Sequence, residues 1–275
     1  MVANLSTPEP MPRGKVTYAS GSAVALLTLT SPPANGYSHD MMRDLDEAIL
    51  RARFDDAVQV LVLAGAGEKF FCAGADIAML NAVEPGFKYQ FCLHANETLL
   101  RLEHTPKLVI AALGGHCVGG GLEIALACDL RIARRGSGKC GLPEITLGVL
   151  PGTGGTQRLA RVVGKGKAIE LMATGRLFDY DEARTLGIVQ DVRDAADDSA
   201  FLAQVLEYAL AFCAPRKAAM AVGAIKRAVQ TGLEIPMESA LALERELQAR
   251  LFASDDAREG IAAFVEKRHG VYQGR

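Results

Sequence analysis

Two glutamates stand beside turns that could present them to a substrate. Glu123 follows three consecutive glycines in the segment HCVGGGLEIALACD, and Glu144 follows a proline in GLPEITLGVLPGTGGTQR, 21 residues further on. Two carboxylates in different surroundings can divide the work of a general acid and a general base. Each also has a simpler interpretation, because a glutamate is stabilised in the first turn of a helix and a glutamate in a loop is usually solvated surface.

The same glycine-rich segments could offer free main-chain N–H groups. Residues 70–76, FFCAGAD, follow a strand-like run, and Gly120 precedes an apolar stretch that favours a helix. Small residues let the backbone approach a ligand closely, and the first N–H groups of a helix have no partner within it. Gly120 is therefore a candidate donor to a developing oxyanion. Residues 70–76 taken alone favour a tight turn, and Pro151 to Gly155 mark another turn that leads into a helix.

Alternating strands and helices must position these segments. Short apolar runs predict four strands, over 23–29, 58–64, 108–112 and 130–133. Helical spacing predicts helices between them, over 39–53, 91–102 and 122–128. This alternation is typical of β-α-β units and a mainly parallel sheet, and beyond about residue 155 the pattern becomes helical. The sequence therefore predicts an α/β core followed by a helical C-terminal region.

Composition narrows the class of protein. The 275 residues are 49% apolar and 23% charged, with a net charge of −2, which is ordinary for a globular protein and gives no support for nucleic-acid binding. The six cysteines form no C-x-x-C pair, the five histidines lack metal-ligand spacing, and Walker A, G-x-S-x-G and H-E-x-x-H motifs are absent from the sequence. We expect no metal. The sequence shows no secretory pattern and no run of 18 apolar residues, so we expect a cytoplasmic protein without a membrane span.

Three blocks together resemble the enoyl-CoA hydratase/isomerase (crotonase) family, and most closely its hydratases. FFCAGADI, CVGGGLEIALACDLRIA and LPEITLGVLPGTGGTQRL match the family's hallmark blocks in order and spacing, within a resemblance that runs from about residue 20 to 270. The resemblance implies an α/β crotonase-type spiral of β-β-α turns over residues 15–205. It also implies a C-terminal α-helical trimerisation region over 206–275, with homotrimers or hexamers made of two trimers. Residues 1–14 are expected to be a flexible tail, since they hold three prolines.

The resemblance also implies roles for individual residues. Ala75 and Gly120 would form the oxyanion hole for the thioester oxygen. Glu123 and Glu144 would hold a water between them, with Glu144 activating it and Glu123 orienting it and taking part in proton delivery to Cα; their division of labour stays open. The expected coenzyme A contacts are Ala73, Asp76, Ile77, Phe264 and Lys267, the last two to the coenzyme A of the same subunit or of a neighbouring one. No cofactor is implied, since coenzyme A arrives as part of the substrate.

The sequence departs from the hydratase pattern at two positions near the site. Ala78 stands where a lysine is common, which could weaken contacts to the coenzyme A phosphates. Leu142 stands where a glutamine is common, and its apolar side chain is expected to raise the pKa of Glu144, because burial disfavours the charged form. The spacing from Glu123 to Glu144 is one residue longer than in typical hydratases, and the extra residue is assigned to the turn at 136–139.

Hydration of a 2-enoyl-CoA is the leading hypothesis, and several alternatives stay open. The first is a double-bond isomerase or a dienoyl-CoA hydratase, although isomerases in the family generally rely on one carboxylate. An RNA-binding member is a second alternative, but the comparable helix region, 89–105, contains Arg101 and no lysine. A catalytically silent scaffold is a third, and the presence of both glutamates argues against it.

Overall fold

The computed structural model describes residues 3–274, which form two sheets surrounded by helices. The strands are β1 (Glu9–Pro10), β2 (Val16–Gly21), β3 (Val24–Leu29), β4 (Val60–Gly65), β5 (Phe70–Cys72), β6 (Leu108–Leu113), β7 (His116–Val118), β8 (Leu130–Arg134), β9 (Lys139–Gly141), β10 (Phe178–Asp179) and β11 (Asp191–Arg193). The helices are α1 (His39–Phe54), α2 (Ile77–Ala82), α3 (Pro85–Glu103), α4 (Gly120–Leu126), the 3-10 helix η1 (Glu144–Leu147), α5 (Gly155–Val163), α6 (Lys165–Thr174), α7 (Tyr180–Thr185), α8 (Asp198–Leu210), α9 (Ala219–Gly232), α10 (Met237–Phe252) and α11 (Asp255–Val265).

The larger sheet has the strand order β1-β2-β3-β4-β6-β8-β11. Its first three strands pair antiparallel, and the pairs from β3 to β11 are parallel. Strand β4 is buried on both faces, with Leu61 and Leu63 in one apolar cluster and Val60 and Val62 in the other. Because side chains alternate across a strand, a continuous apolar run is what a strand covered on both faces requires. The four strands predicted from apolar runs are confirmed as β3, β4, β6 and β8.

A smaller sheet, with the order β10-β9-β7-β5, was not predicted. Its strands have two or three residues each, and β5 and β7 lie within segments expected to be loops because of their glycines. Strands β5, β7 and β9 pair in parallel, and β10 joins antiparallel. The register of β5 and β7 shifts between Phe70 and Cys72. The sheet therefore aligns the glycine-rich loops that follow β5 and β7 side by side.

The first residues of the described chain lie against the sheet, where a loose tail was expected. Strand β1 pairs with β2, and Ala3 and Met11 are buried. The buried carboxylate of Asp44 accepts hydrogen bonds from the main-chain N–H groups of Arg13 (3.0 Å) and Lys15 (2.8 Å). Pro10 fits on this edge strand because an edge position does not require every N–H to be paired.

The C-terminal helices follow the core as predicted. Helix α8 packs on the larger sheet through Phe201 and Val205, and α9 packs against α10. Several large apolar side chains of α9, α10 and α11 are exposed on the single chain, among them Ile225, Val229 and Phe252. None of the helices within residues 3–274 is long and apolar enough to cross a membrane.

Candidate active site

The loop after β5 presents the main-chain N–H of Ala75. The backbone of Tyr37 pairs with the residues on both sides of it: the Tyr37 N–H donates to the Gly74 oxygen (2.9 Å), and the Asp76 N–H donates to the Tyr37 oxygen (3.0 Å). This pairing involves the Gly74 oxygen and the Asp76 N–H, and it leaves the Ala75 N–H with no hydrogen-bond acceptor within the described chain. The loop is therefore held by its neighbours while one donor stays free.

The loop after β7 presents a second free donor. Gly119 is held by a hydrogen bond from its N–H to the Gly141 oxygen (2.9 Å), and its φ of +56° is one that glycine adopts readily. Gly120 is the first residue of α4, so its N–H has no partner within the helix. A Cβ placed on Gly74 would lie 3.5 Å from the Gly120 nitrogen, so the two loops are in contact. The ring of Tyr37 packs against Gly120, which fixes this donor as well.

Glu123 lies one turn into α4 and is held by three donors. It is 3% exposed. Its Oε1 accepts from the N–H groups of Thr153 and Gly155, both at 2.8 Å, and its Oε2 accepts from the Thr153 hydroxyl. A carboxylate that receives three donors acts as an acceptor only, which is the behaviour of its ionised form. Glu123 is thus an ordered negative group with a fixed orientation.

Glu144 is held much less firmly. It begins η1 and is half-buried, and its Oε2 is buried without a hydrogen-bond partner among residues 3–274. Burial raises the pKa of Glu144 from its ordinary value of 4.5 to about 7, and the negative charge of Glu123 adds to the rise. Its own main-chain N–H and the positive charge of Lys88 oppose that rise in pKa. The direction agrees with the one expected from the buried Leu142. A carboxyl of this kind can take and return a proton near neutral pH.

Gly119 contacts both glutamates, the main chain of Glu123 and the carboxylate of Glu144. The Glu123 N–H donates to the Gly119 oxygen (3.1 Å), and a Cβ placed on Gly119 would lie 2.9 Å from Oε1 of Glu144. The space occupied by the Glu144 carboxylate therefore exists because residue 119 has no side chain. Gly119 therefore joins the carboxylate of Glu144 to the loop that carries the free N–H of Gly120.

The expected coenzyme A contacts fall into two groups. Ala73, Asp76 and Ile77 flank the free N–H of Ala75, and Ile77 is 57% exposed at the start of α2. Asp76 also caps α2, because its side chain accepts from the Met79 N–H (3.1 Å). Phe264 and Lys267 lie at the end of α11, and Phe264 is 85% exposed. No hydrogen bond, ion pair or ring contact within the described chain joins these two residues to the glutamates or the glycine loops.

Three residues of the site were missed from the sequence. Tyr37 holds both loops, and Thr153 and Gly155 hold Glu123. The turn from Pro151 to Gly155 was recognised as a sharp turn, but its contact with Glu123 spans 30 residues and left no local signal. Across residues 3–274, no cluster of His, Cys, Asp and Glu has the geometry to hold a metal ion.

Comparison with known proteins agrees with this architecture. The model of the enoyl-CoA hydratase/isomerase family matches residues 19–275. A short-chain-enoyl-CoA hydratase of Clostridium acetobutylicum is 37% identical, over 89% of this chain and 92% of the relative. A crotonyl-CoA hydratase of Syntrophomonas wolfei is 35% identical, also over 89% of this chain and 92% of the relative. A crystal structure of an enoyl-CoA hydratase from Geobacillus kaustophilus has a TM-score of 0.92 and 40% identity, with coverage of 99% of this chain and 100% of that chain.

The fold is the α/β crotonase fold, with two mixed sheets and C-terminal helices. The chain belongs to the enoyl-CoA hydratase/isomerase family, as its three sequence blocks predicted.

Proposed function

We propose that this protein hydrates a 2-enoyl-CoA thioester to a 3-hydroxyacyl-CoA. One observation carries the proposal: two carboxylates in contrasting surroundings lie beside two main-chain N–H groups without acceptors. The names of the relatives support the same reaction, since they are hydratases of short-chain enoyl-CoA and crotonyl-CoA.

The N–H groups of Ala75 and Gly120 would bind the thioester oxygen. When water adds to Cβ, the electrons of the Cα=Cβ bond move toward the carbonyl and negative charge builds on that oxygen. Preorganised amide donors stabilise such charge, and each can contribute about 3 kcal/mol to lowering the barrier. Tyr37 supports this role because it fixes the backbone on both sides of Ala75 and packs on Gly120.

The two glutamates would handle the water and its protons. Glu144, with a pKa of about 7, takes a proton from the water as the oxygen bonds to Cβ. Glu123 accepts the other hydrogen of that water and so orients it, because its own position is fixed by three donors. The proton held by Glu144 is then available for Cα, so that one H and one OH are added in all. This assignment gives Glu144 the larger part in proton transfer.

Coenzyme A would lie along the loop that contains Ala73, Asp76 and Ile77. Phe264 is exposed on α11 and Lys267 is exposed two residues beyond its end, so both would contact the coenzyme A bound by a neighbouring subunit. We propose a homotrimer, or a hexamer made of two trimers. The apolar groove of about 760 Å³ between α9 and α10 supports such an assembly, because exposed apolar surfaces of this kind mark protein contacts.

The test is the loss of the conjugated-thioester absorbance of crotonyl-CoA. The wild type should hydrate it, and Glu123→Gln and Glu144→Gln should each lower kcat by at least about a hundredfold, the size expected for a general acid–base group. Glu170→Gln is the matched control, because Glu170 is exposed on α6 and its side chain pairs with Lys167. Saturable crotonyl-CoA binding without hydration would reject the proposal for this substrate. Double-bond migration in a 3-enoyl-CoA would then favour the isomerase.

A further inference from the structure

The turn that holds Glu123 uses one side chain, that of Thr153. The two main-chain donors to Oε1 come from Thr153 and Gly155, and residue 155 has no room for a side chain, since a Cβ there would lie 3.0 Å from that same Oε1. The donor to Oε2 is the Thr153 hydroxyl, which among the standard residues of similar size only serine could replace. The residue type at position 153 therefore decides whether the second oxygen of Glu123 has a protein donor.

The direction of this hydrogen bond follows from burial and charge. A carboxylate has no proton to give, so the hydroxyl donates and the carboxylate accepts. Thr153 is 1% exposed and Glu123 is 3% exposed, so solvent competes little for either group. Hydrogen bonds with a charged partner in such surroundings are stronger than those between neutral groups. The bond thus restricts rotation of the carboxylate about its last side-chain torsion.

The main chain of Thr153 is held by Arg158, which forms an ion pair with Glu103. Arg158 donates from Nη1 to the Thr153 main-chain oxygen (3.3 Å), and its Nη2 lies 2.8 Å from a carboxylate oxygen of Glu103. Gly154 makes room for this arginine, since a Cβ at 154 would lie 2.1 Å from Nη1. On its other side, the Thr153 side chain lies beside the Tyr37 hydroxyl. Thr153 therefore stands between the residue that fixes the oxyanion donors and the carboxylate itself.

We propose that Thr153 is a positioning residue whose hydroxyl sets the orientation of the Glu123 carboxylate relative to the reacting water. The inference rests on the proposed hydration reaction for its catalytic consequence. Its structural part, the hydroxyl as donor to Glu123, stands apart from the identity of the substrate.

Thr153→Val and Thr153→Ser separate the hydroxyl from the shape of the side chain. Valine has almost the same shape and no hydroxyl, so kcat should fall roughly tenfold to a hundredfold, as expected for losing a hydrogen bond to a charged group. KM should change less than about twofold, because the lost interaction acts on the reaction step and not on binding. Serine restores the donor and should recover most of kcat. Thr156→Val is the matched control, since that hydroxyl accepts from Gln157 and does not touch Glu123.

Two kinetic results would overturn the proposal: a Thr153→Val enzyme with the kcat of the wild type, or a Thr153→Ser enzyme as slow as Thr153→Val. The thermal midpoint of each variant is measured alongside. If Thr153→Val does not fold, Thr153→Ala takes its place in the same comparison.

An infrared measurement tests whether the Thr153 hydroxyl donates to Glu123, and it needs no catalytic activity. In protein with carboxyl-labelled glutamate, the antisymmetric carboxylate stretch of Glu123 is assigned by its loss in Glu123→Gln. It should shift in Thr153→Val and return in Thr153→Ser. An unchanged band in Thr153→Val would overturn the inference even if the wild type hydrated no enoyl-CoA. A shifted band with an inactive wild type would instead reject the proposed reaction and leave the hydrogen bond in place.

Discussion

The surroundings of Glu123 and Glu144 differ in nearly every respect. Glu123 stands on α4 in a buried site and receives three donors from the turn at 151–155. Glu144 starts a four-residue 3-10 helix, is half-buried, and has one oxygen without a partner in the described chain. One residue type serves two purposes here because the fold supplies three donors to Glu123 and leaves one oxygen of Glu144 without any. One carboxylate is fixed, and the other is free to exchange a proton.

Closing the space around Glu144 should have the largest effect on this contrast. Gly119→Ala places a Cβ 2.9 Å from Oε1 of Glu144 at a residue with a φ of +56°. We expect kcat for crotonyl-CoA to fall about a hundredfold, because displacement of a general acid–base group removes most of its contribution. Gly136→Ala is the control: its φ is +69°, but a Cβ there meets nothing within 4 Å. Equal losses in the two variants would show that backbone strain, and not the carboxylate, is responsible.

Making the surroundings of Glu144 more polar should reduce the contrast without abolishing activity. Leu142 is 2% exposed and stands two residues before Glu144. In Leu142→Gln, a new amide donor should lower the pKa of Glu144 from about 7 toward its ordinary value. The pH at which kcat/KM rises should then be lower by about one pH unit. Leu142→Met, which keeps the site apolar at similar volume, should leave that pH unchanged. If both variants kept the wild-type pH dependence, burial beside Leu142 would not be the cause of the raised pKa of Glu144.

The smallest expected effect is on stability. The folded-state pKa of Glu144 lies above its ordinary value, so between pH 4.5 and about 7 the folded state binds more protons than the unfolded state. Stability therefore falls as pH rises through this window. Glu144→Gln removes this penalty, which is about 1 kcal/mol once partial exposure is allowed for, and should raise Tm at pH 8 by about 2–4 °C. At pH 4.5 the two proteins should unfold at nearly the same temperature, and a gain in Tm that is the same at both pH values would contradict this origin.

The sequence predicted those parts of the fold that are specified locally. Strands β4 and β6 are continuous apolar runs of five and six residues, and α1 has apolar residues at helical spacing, so each is evident from its own segment. Strands β5 and β7 have three residues each among glycines, and their pairing depends on segments more than 40 residues apart. No local pattern predicts such pairing, so the second sheet appeared only in the structure.

For the candidate site, the sequence indicated the glycine-rich segments but not the contacts that they make across the fold. Glu123, Glu144 and Gly120 stand in recognisable sequence blocks, and their roles stay predictions until they are tested. The contrast between the carboxylates depends on contacts across the fold: Thr153 reaches Glu123 from 30 residues away, and Tyr37 reaches the loops around Gly74 and Gly120. A threonine within a glycine-rich turn carries no signal of such a contact. The sequence therefore indicated where the chain must bend, but not which residues contact each other across the fold.

The most direct test of the central claim measures the proton on Glu144 and the reaction together. The carboxyl carbon of Glu144, labelled with carbon-13 and assigned by Glu144→Gln, is titrated by NMR, and kcat/KM for crotonyl-CoA is measured over the same pH range. We expect the carboxyl to titrate at about pH 7 and kcat/KM to rise with pH through the same midpoint. A carboxyl midpoint near 4.5, or a kinetic limb that does not follow the titration of Glu144, would contradict the central claim.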